Sequence, residues 1–308
     1  MHTKQDLLSL GNLTATELTD LLILATTLKQ EWKAGGNAPV LKGKALGMVF
    51  TKPSLRTRVS FEMGMHHLGG HALYIAPDEI QMGKRESIPD VAHVLSRYVD
   101  GIMARVFAHA DVVTLAQYSR VPVINGLSDY THPCQGLADL LTIIEHKGTV
   151  KGVTIAYLGD ANNVANSLAL GGTLLGAHVR IGSPYGYSLR ENVAHLAGQF
   201  ASASGGSLTL VVDPHEAVHG ADVIYTDTWT SMGQESEAAQ RAVVFPPYQV
   251  NSNLVQLARP DAIIMHCLPA HRGQEITDEV ADGSQSVLWD QAENRMHAQK
   301  AVLVKLLT

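Results

Sequence analysis

The sequence predicts an α/β fold with parallel sheets, divided between two domains. The chain has 308 residues, a length that suits two domains of about 150 residues better than one small core. Short, almost continuously apolar segments alternate with helical patterns in both halves, which is typical of parallel strands covered by helices on both faces. Between the halves, residues 145–152 (EHKGTVKG) have two glycines and no apolar pattern, so we expect the domain boundary there.

The first half opens with a predicted helix. Thr14 followed by Glu17 fits a capping box before an apolar stripe, and the pair Gly35-Gly36 ends the pattern. The segment ALGMVF is short, apolar and bounded by turn residues, which predicts a buried strand. Strands in this half are expected at 45–50, 72–75, 101–106 and 121–125.

The second half repeats the alternation without repeating the sequence. Its strands are expected at 153–160, 178–182, 208–212, 222–227 and 262–267. The C-terminal segment AENRMHAQKAVLVKLL is amphipathic, so it predicts one last helix.

Charge and cysteine content exclude several classes of protein. The net charge is −6 with histidine neutral, so no extended nucleic-acid surface is expected, and an anion site must be a local cluster. Two cysteines, Cys134 and Cys267, do not indicate a disulfide scaffold. No segment approaches about 18 uninterrupted apolar residues, and the N-terminus lacks a signal-peptide pattern. We therefore expect no membrane segment and a cytoplasmic protein.

Unusual polar residues gather at the carboxyl ends of the predicted strands. In open α/β sheets, ligands bind in the crevice outside those ends, so the shared position indicates a ligand site more strongly than any single residue does. In chain order these residues are Ser54, Arg56, Thr57, Arg105, His132, Gln135, Asn162, Asn163, Asp227, Ser231, His266 and Cys267.

The segment TKPSLRTRVSFE (51–62) suggests an anion site. Pro53 disfavours a helical conformation at the preceding residue, and Ser54 is a good N-cap for a helix that begins near Leu55. The first N–H groups of a helix lack internal partners and lie at its positive end. With the Arg56 guanidinium and the hydroxyl of Thr57, they could bind a phosphate-sized anion. A capped helix with surface arginines explains the same stretch equally well.

The segment HPCQG (132–136) and the pair His266-Cys267 raise the question of a metal site. Adjacent residues on a strand point to opposite faces, and no paired CxxC spacing exists. We therefore expect no metal. A His132 that donates a hydrogen bond to a carbonyl oxygen is the favoured functional interpretation.

Two segments of the second half suggest a small polar ligand. YLGDANNVANS resembles the first turn of a dinucleotide-binding unit but lacks GxGxxG, so an ordinary polar turn and a site for polar ligand groups both stay open. DTWTSMG offers a carboxylate, a hydroxyl and flexible backbone N–H groups. Together these groups could bind the ammonium and the carboxylate of an amino acid, although Asp227 could also simply cap a turn.

Four motifs together resemble those of the aspartate/ornithine carbamoyltransferase family. SLRTR is similar to the family's SxRTR signature, and HPCQ to its HPxQ signature. DTWTSMG and HCLPAHRG are similar to the ornithine-specific members. The motifs occur in the family's order and spacing, and the resemblance extends over essentially the whole chain.

The resemblance implies a fold and an activity. It implies two doubly wound parallel-sheet domains: a carboxyl-terminal helix (291–308) would pack back on a carbamoyl-phosphate-binding domain (1–147), and residues 148–290 would bind ornithine. The implied reaction transfers the carbamoyl group of carbamoyl phosphate to the side-chain amine of L-ornithine, giving L-citrulline and phosphate. It needs no cofactor and no metal. The implied assembly is a homotrimer, or a multiple of trimers, with shared active sites.

The resemblance also implies the roles of individual residues. Those implied to bind ornithine are Asn163, Asp227, Ser231 and Met232. Those implied to act in catalysis are Arg56, Arg105, His132, Asp227 and Cys267. Those implied to bind carbamoyl phosphate are Ser54, Leu55, Arg56, Thr57, Gln81, Arg105, His132, Gln135, Cys267, Leu268 and Arg295, with Gln81 supplied by a neighbouring subunit.

Two positions depart from the family pattern. Leu55 stands where many members have Thr, a change without effect if only the backbone N–H takes part, but one that lowers phosphate affinity if the hydroxyl takes part. Thr51 stands where an acid is common, and the sequence explains nothing about that change. Related putrescine and acetylornithine enzymes, a nicotinamide-dependent dehydrogenase and a non-catalytic amino-acid or phosphate-binding protein are the alternatives, and a citrulline assay separates them.

Overall fold

The computed structural model describes residues 4–231 and 233–308, which form two compact units. One unit contains Met1–Leu141 and Arg295–Thr308, and the other contains Thr142–Asn294. Each unit has its own parallel sheet, which confirms the predicted fold class. The expected functional boundaries at residues 147 and 290 stay predictions.

The first unit is built on a four-stranded parallel sheet in the order β2-β1-β3-β4. Its apolar core lies between this sheet and the helices that connect the strands. In chain order its elements are α1 (Ala15–Lys33), β1 (Ala45–Phe50), α2 (Leu55–His67), β2 (His71–Ile75), α3 (Pro77–Ile80), α4 (Ile88–Leu95), β3 (Gly101–Arg105), α5 (His109–Tyr118), β4 (Val123–Leu127) and α6 (Pro133–Lys147).

Local sequence explains where the helices of the first unit begin. The Thr14 side chain accepts a hydrogen bond from the Glu17 backbone, and the Glu17 carboxylate accepts one from the Thr14 backbone, so the predicted capping box is confirmed. Ser54 caps α2 by accepting from the Thr57 N–H. The predicted start of α2 at Leu55 is also confirmed.

The fourth strand lies two residues later than the sequence suggested. Pro122 has no N–H to donate to the sheet, although its carbonyl accepts from Ile102. The strand instead extends through Gly126, where a Cβ would lie 2.4 Å from the Met103 sulfur. A glycine lets the two strands approach at that point.

The second unit is built on a five-stranded parallel sheet in the order β7-β6-β5-β8-β9. An apolar cluster from β5, α9, β8 and β9 forms its core. In chain order its elements are β5 (Thr154–Leu158), α7 (Asn163–Leu174), β6 (His178–Gly182), α8 (Glu191–Ser204), β7 (Ser207–Val211), α9 (Pro214–Val218), β8 (Val223–Thr226), α10 (Ala238–Val244), α11 (Ser252–Val255), β9 (Ile263–His266) and α12 (Asp278–Ala281).

The last helix, α13 (Leu288–Leu307), confirms the predicted C-terminal helix. Its residues from Arg295 onward belong to the first unit. There Lys300 is fully buried and donates to the Asn37 side chain at 2.6 Å. Gly101 on β3 leaves room for the Leu307 side chain, since a Cβ at Gly101 would lie 2.6 Å from it.

Within residues 4–231 and 233–308, every helix is too short or too polar to cross a membrane.

Candidate active-site residues in the two units

The predicted anion-binding residues lie where the strand order of the first sheet reverses. The chain leaves β1 toward β2 on one side, and β3 pairs with β1 on the other. Such a switch point opens a crevice at the carboxyl ends of the strands. Phe50 pairs with Arg105, so the turn that follows β1 and the end of β3 come together there.

Three donors converge on the Thr57 hydroxyl oxygen at the start of α2. Ser54 Oγ lies 2.9 Å from it, Arg105 Nη1 3.3 Å and Arg295 Nη2 2.5 Å. Thr57 is fully buried, and the two arginines are nearly so. A hydroxyl oxygen offers only two lone pairs, so this group of donors exceeds what Thr57 alone can satisfy. Two guanidinium groups at a helix N-terminus form an arrangement that suits an anion.

His132 lies in the same cluster. Arg295 Nη2 lies 3.2 Å from His132 Nε2. Because a guanidinium can only donate, Nε2 accepts, and the ring proton is on Nδ1. Burial, followed by the charges of Arg295, Arg105 and Lys52, holds the pKa of His132 well below its usual range. His132 is therefore neutral at pH 7.

Gln135, Arg56 and Leu55 were also predicted to bind the anion, but their side chains are not among the three donors to the Thr57 hydroxyl. Gln135 is buried and donates from Nε2 to Asp139 Oδ1 at 2.8 Å. Arg56 is half-buried in the first turn of α2, and within residues 4–231 and 233–308 its side chain has no hydrogen bond or ion pair. Leu55 is 77% exposed, and it is the first residue of α2 after the Ser54 cap.

Gln81 does not join this cluster within the described chain. Its side chain donates to the Asp78 carbonyl at 3.4 Å, and it is exposed. Its φ of 40° is in the left-handed region, where a residue other than glycine is uncommon and often functional.

The predicted ornithine-binding residues lie at the switch point of the second sheet. Strands β6 and β7 extend from one side of β5, and β8 and β9 from the other. Leu158 pairs with Thr226, and Thr226 pairs with His266. The residues that follow these three strand ends therefore meet at one edge.

The Asp227 carboxylate is held by three donors at this edge. Its Oδ1 accepts from the Cys267 thiol at 3.0 Å and from the Thr228 N–H at 2.8 Å. Its Oδ2 accepts from Asn162 Nδ2 at 2.7 Å. Asp227 is 5% exposed. These contacts fix the carboxylate in one orientation, which suits recognition of a cationic group.

The remaining residues of this group surround Asp227 along the chain. Asn163 begins α7 and is half-buried. Ser231 is half-buried, and its N–H donates to Gln234 Oε1 at 3.0 Å. Leu268 has a φ of 59°, and its N–H donates to His266 Nδ1 at 2.8 Å. Met232 lies outside the described residues.

The expectation that His266 and Cys267 point to opposite faces is wrong. Strand β9 ends at His266, so the alternation of a strand does not extend to Cys267. Possible ligand atoms of Asp227, His266 and Cys267 lie within 4.8 Å of one another. However, His266 Nδ1 accepts from Leu268, and its Nε2 lies 3.0 Å from the buried Glu275 carboxylate. Both imidazole nitrogens are thus engaged, so these residues fit a metal poorly.

Comparison with known families accounts for both groups of residues. Residues 5–145 match the family model described as "Aspartate/ornithine carbamoyltransferase, carbamoyl-P binding domain". Residues 151–306 match the family model described as "Aspartate/ornithine carbamoyltransferase, Asp/Orn binding domain". The chain belongs to the aspartate/ornithine carbamoyltransferase family.

Individual members of the aspartate/ornithine carbamoyltransferase family are closely similar to the chain. The ornithine carbamoyltransferase of Pyrococcus abyssi is 57% identical over 303 residues, which is 98% of this chain and 96% of the relative. The solved ornithine carbamoyltransferase of Pyrococcus furiosus has a TM-score of 0.95 at 57% identity, covering 98% of this chain and 96% of that chain. The solved enzyme of Thermus thermophilus has a TM-score of 0.87 at 43% identity, covering 98% and 99%.

Sequence reasoning did not predict the contacts that several residues make to hold these groups in place. Asn162 accepts from the Val164 N–H as the N-cap of α7 while its amide holds Asp227. Its place at a strand end was visible, but the double role was not. Arg241 bonds Asp160 at 2.7 Å and the Trp229 carbonyl at 2.8 Å, and no sequence signal connects positions so far apart. Lys52 lies in the segment 51–62, but the sequence alone indicates no role for it.

Proposed function

We propose that this chain transfers the carbamoyl group of carbamoyl phosphate to the side-chain amine of L-ornithine, giving L-citrulline and phosphate. The observation that carries the proposal is the cluster around Thr57, where Arg105 and Arg295 direct guanidinium groups to the N-terminus of α2. It lies in the segment matched by the carbamoyl-phosphate-binding description. The Asp227 group lies in the segment matched by the Asp/Orn-binding description.

The cluster around Thr57 has the groups that carbamoyl phosphate needs. Arg56, Arg105 and Arg295 would neutralise the phosphate, and the capped helix terminus with Ser54 would add N–H and hydroxyl donors. When Arg295 turns to the phosphate, His132 Nε2 is released. The neutral imidazole could then polarise the carbonyl oxygen after a change of tautomer, while Gln135 would bind the carbamoyl amide.

The second unit would orient the nucleophile. Asp227 and Ser231 would bind the α-ammonium of ornithine, and Asn163 with the Met232 N–H would receive its carboxylate. Leu268 and Cys267 would contact the reacting end. The attacking amine has a solution pKa of about 10, so it must lose a proton before it attacks. The leaving phosphate could accept that proton, and no covalent enzyme intermediate is required.

We further propose a homotrimer, or a multiple of trimers, in which Gln81 acts in a neighbour's site. Leu55, Val59 and Met63 form an exposed apolar stripe along α2, with 77%, 46% and 38% of each residue accessible. Such a stripe at helical spacing is typical of a surface that packs against another chain. Gln81 is exposed and has a left-handed backbone conformation. Both features support a role for Gln81 at a contact with a neighbouring chain.

We also propose a cytoplasmic location and a role in arginine biosynthesis. Cys134 and Cys267 do not form a disulfide, as is usual in a reducing compartment, which supports a cytoplasmic location. A relative from Pyrococcus furiosus is named anabolic. That name supports a role in arginine biosynthesis.

The test is a citrulline assay with carbamoyl phosphate and four acceptors. L-ornithine, putrescine, acetylornithine and aspartate are compared at equal concentration, with and without a chelator. We expect citrulline from ornithine at a rate that does not depend on added metal. Preferential use of another acceptor would replace ornithine in the proposal, and no turnover by the folded protein would favour a binding protein.

A further inference from the structure

Lys52 is a buried amine beside the candidate carbamoyl phosphate site. It lies two residues before Ser54, in the turn between β1 and α2. It is only 8% exposed. Its ammonium group lies 4.6 Å from the centre of the Phe107 ring. Within residues 4–231 and 233–308 it has no hydrogen-bond acceptor and no ion pair.

The surroundings of Lys52 favour its neutral form. Burial is the main cause, and the charge of Arg105 adds to it, while Asp129 acts in the opposite direction. Together they lower the pKa of Lys52 to about 8. About half of the Lys52 side chains are therefore uncharged, nucleophilic amines at about pH 8, unlike an ordinary lysine with a pKa of about 10.4.

Lys52 also lies close to the groups that would bind the carbamoyl donor. Arg105, whose charge acts on Lys52, contacts the Thr57 hydroxyl. The charge of Lys52 in turn acts on His132. The amine thus belongs to the same group of interacting polar side chains as Arg105 and His132.

We propose that Lys52 is a site of self-carbamoylation, at which the buried amine takes the carbamoyl group of carbamoyl phosphate bound at the Ser54–Thr57 turn. The inference rests on the proposed function, since that function supplies the donor. In the step, the Lys52 nitrogen forms a bond to the carbonyl carbon, and the bond from that carbon to the phosphate oxygen breaks. Phosphate leaves with the electron pair and takes up the proton that the amine nitrogen loses. The product is a neutral urea on Lys52.

The product would change the site, because a charge-neutral group would replace a cation beside Arg105. An enzyme left with carbamoyl phosphate and no acceptor should therefore lose activity as Lys52 is modified. Ornithine should protect Lys52 by consuming the donor.

The experiment incubates the intact protein with carbamoyl phosphate, without ornithine, at about pH 8, which is close to the pKa of Lys52. Peptide mapping by mass spectrometry follows the addition of one HNCO unit at each lysine. Lys33, exposed in the last turn of α1, is the internal control. We expect Lys52 to be carbamoylated at least about tenfold faster than Lys33, because Lys52 lies beside the bound donor and its lowered pKa leaves part of it as the neutral amine. The variants Lys52→Arg and Lys33→Arg form a matched pair, of which only the first should abolish the fast modification.

Two further arms identify the source of the carbamoyl group. Carbamoyl phosphate also breaks down to cyanate, which carbamoylates amines. A parallel sample therefore receives cyanate alone, at the concentration measured in the carbamoyl phosphate sample. Transfer from bound carbamoyl phosphate should exceed the cyanate rate, saturate with donor concentration and be slowed by inorganic phosphate.

The outcomes separate this inference from the proposed function. Citrulline formation with Lys52 modified no faster than Lys33 would overturn the inference and leave the function intact. A cyanate sample that accounts for all modification would likewise overturn it. Loss of citrulline formation from the folded protein would instead contradict the proposed function.

Discussion

At the scale of single residues, substitution of Arg56 tests whether the residues around Thr57 bind carbamoyl phosphate. It lies in the first turn of α2, half-buried and without a side-chain partner among residues 4–231 and 233–308. A charge-assisted hydrogen bond contributes on the order of 1.5–3 kcal/mol, and more if it forms in the transition state. We expect Arg56→Ala to weaken carbamoyl phosphate binding and to lower turnover at least about a hundredfold. Arg58→Ala, one residue beyond Thr57 and paired with Glu62, is the control. Unchanged kinetics in a folded Arg56→Ala protein would remove Arg56 from the site.

Asn163 and the Met232 N–H, which would receive the α-carboxylate, set the expected selectivity between ornithine and putrescine. The two acceptors share the attacking amine and a second amine and differ only in the α-carboxylate, so discrimination must come from the residues that bind that carboxylate. A site built with buried polar groups rejects an analogue that leaves them unpaired, and we expect a preference of about a thousandfold or more. The selectivity should be measured as the ratio of kcat/KM values for the two acceptors.

The Asp227→Asn variant tests which part of the reaction depends on the Asp227 carboxylate. It keeps the size of the side chain but removes the charge held by Cys267, Thr228 and Asn162. We expect ornithine turnover to collapse while carbamoyl phosphate binding, followed by calorimetry, persists. Normal ornithine kinetics in this variant would show that Asp227 does not bind the substrate.

At the scale of secondary-structure elements, two glycines of the α8–β7 region should respond in opposite directions. A Cβ at Gly206 would lie 2.3 Å from the Ala177 carbonyl oxygen, whereas a Cβ at Gly198 in α8 meets nothing within 4 Å. Gly206→Ala should lower the free energy of unfolding by about 1–3 kcal/mol through overpacking. Gly198→Ala should raise it by roughly 0.5–1 kcal/mol through better helix propensity. Urea unfolding measures both, and a neutral Gly206→Ala would contradict the close approach.

His67 on α2 makes one helix contact sensitive to pH. Its ring stacks on Trp32 of α1 with centroids 3.5 Å apart. Burial, then the charges of Lys300 on α13 and His66, lower the pKa of His67. The folded pKa lies below the unfolded value of about 6.5, so the unfolded chain binds the proton first as the pH falls. The stabilisation by neutral His67 is present above about pH 6.5 and is lost as the pH falls toward the folded pKa.

The measurement for His67 is the melting temperature as a function of pH. The wild-type protein should lose more stability between pH 7 and about pH 5 than His67→Gln, which cannot be protonated. Trp32 fluorescence should report the same transition. Identical pH profiles for both proteins would mean that His67 is not the group involved.

Element positions were largely predictable from the sequence, whereas the support of the site was not. The capping box at Thr14 and the cap at Ser54 depend on neighbours in the chain, so short-range pattern was sufficient. Strand ends also placed Arg105 and Asp227 on the correct edges. The convergence of Arg295 on Thr57 joins residues 238 positions apart, and only the family resemblance pointed to it. His266 and Cys267 were misjudged because the strand ends between them.

At the scale of the whole molecule, the proposed sharing of sites between subunits predicts complementation between defective subunits. Gln81 would act in a neighbour's site, whereas Arg56 would act in its own. Mixing a Gln81→Ala protein with an Arg56→Ala protein, under conditions that exchange subunits, should restore activity above either parent. Light scattering should show a mass that is a multiple of three chains. Proven exchange without any rescue would contradict the shared site.

The two hydrogen bonds of the Asn162 side chain limit which residue types can replace it. Its carbonyl oxygen caps α7, and its amide nitrogen holds Asp227. Asp at this position could cap the helix but would place one carboxylate against another, and Ser could cap it but has no amide to reach Asp227. Any variation tolerated there should therefore require a compensating change at position 227, so the two positions are expected to change together or remain fixed.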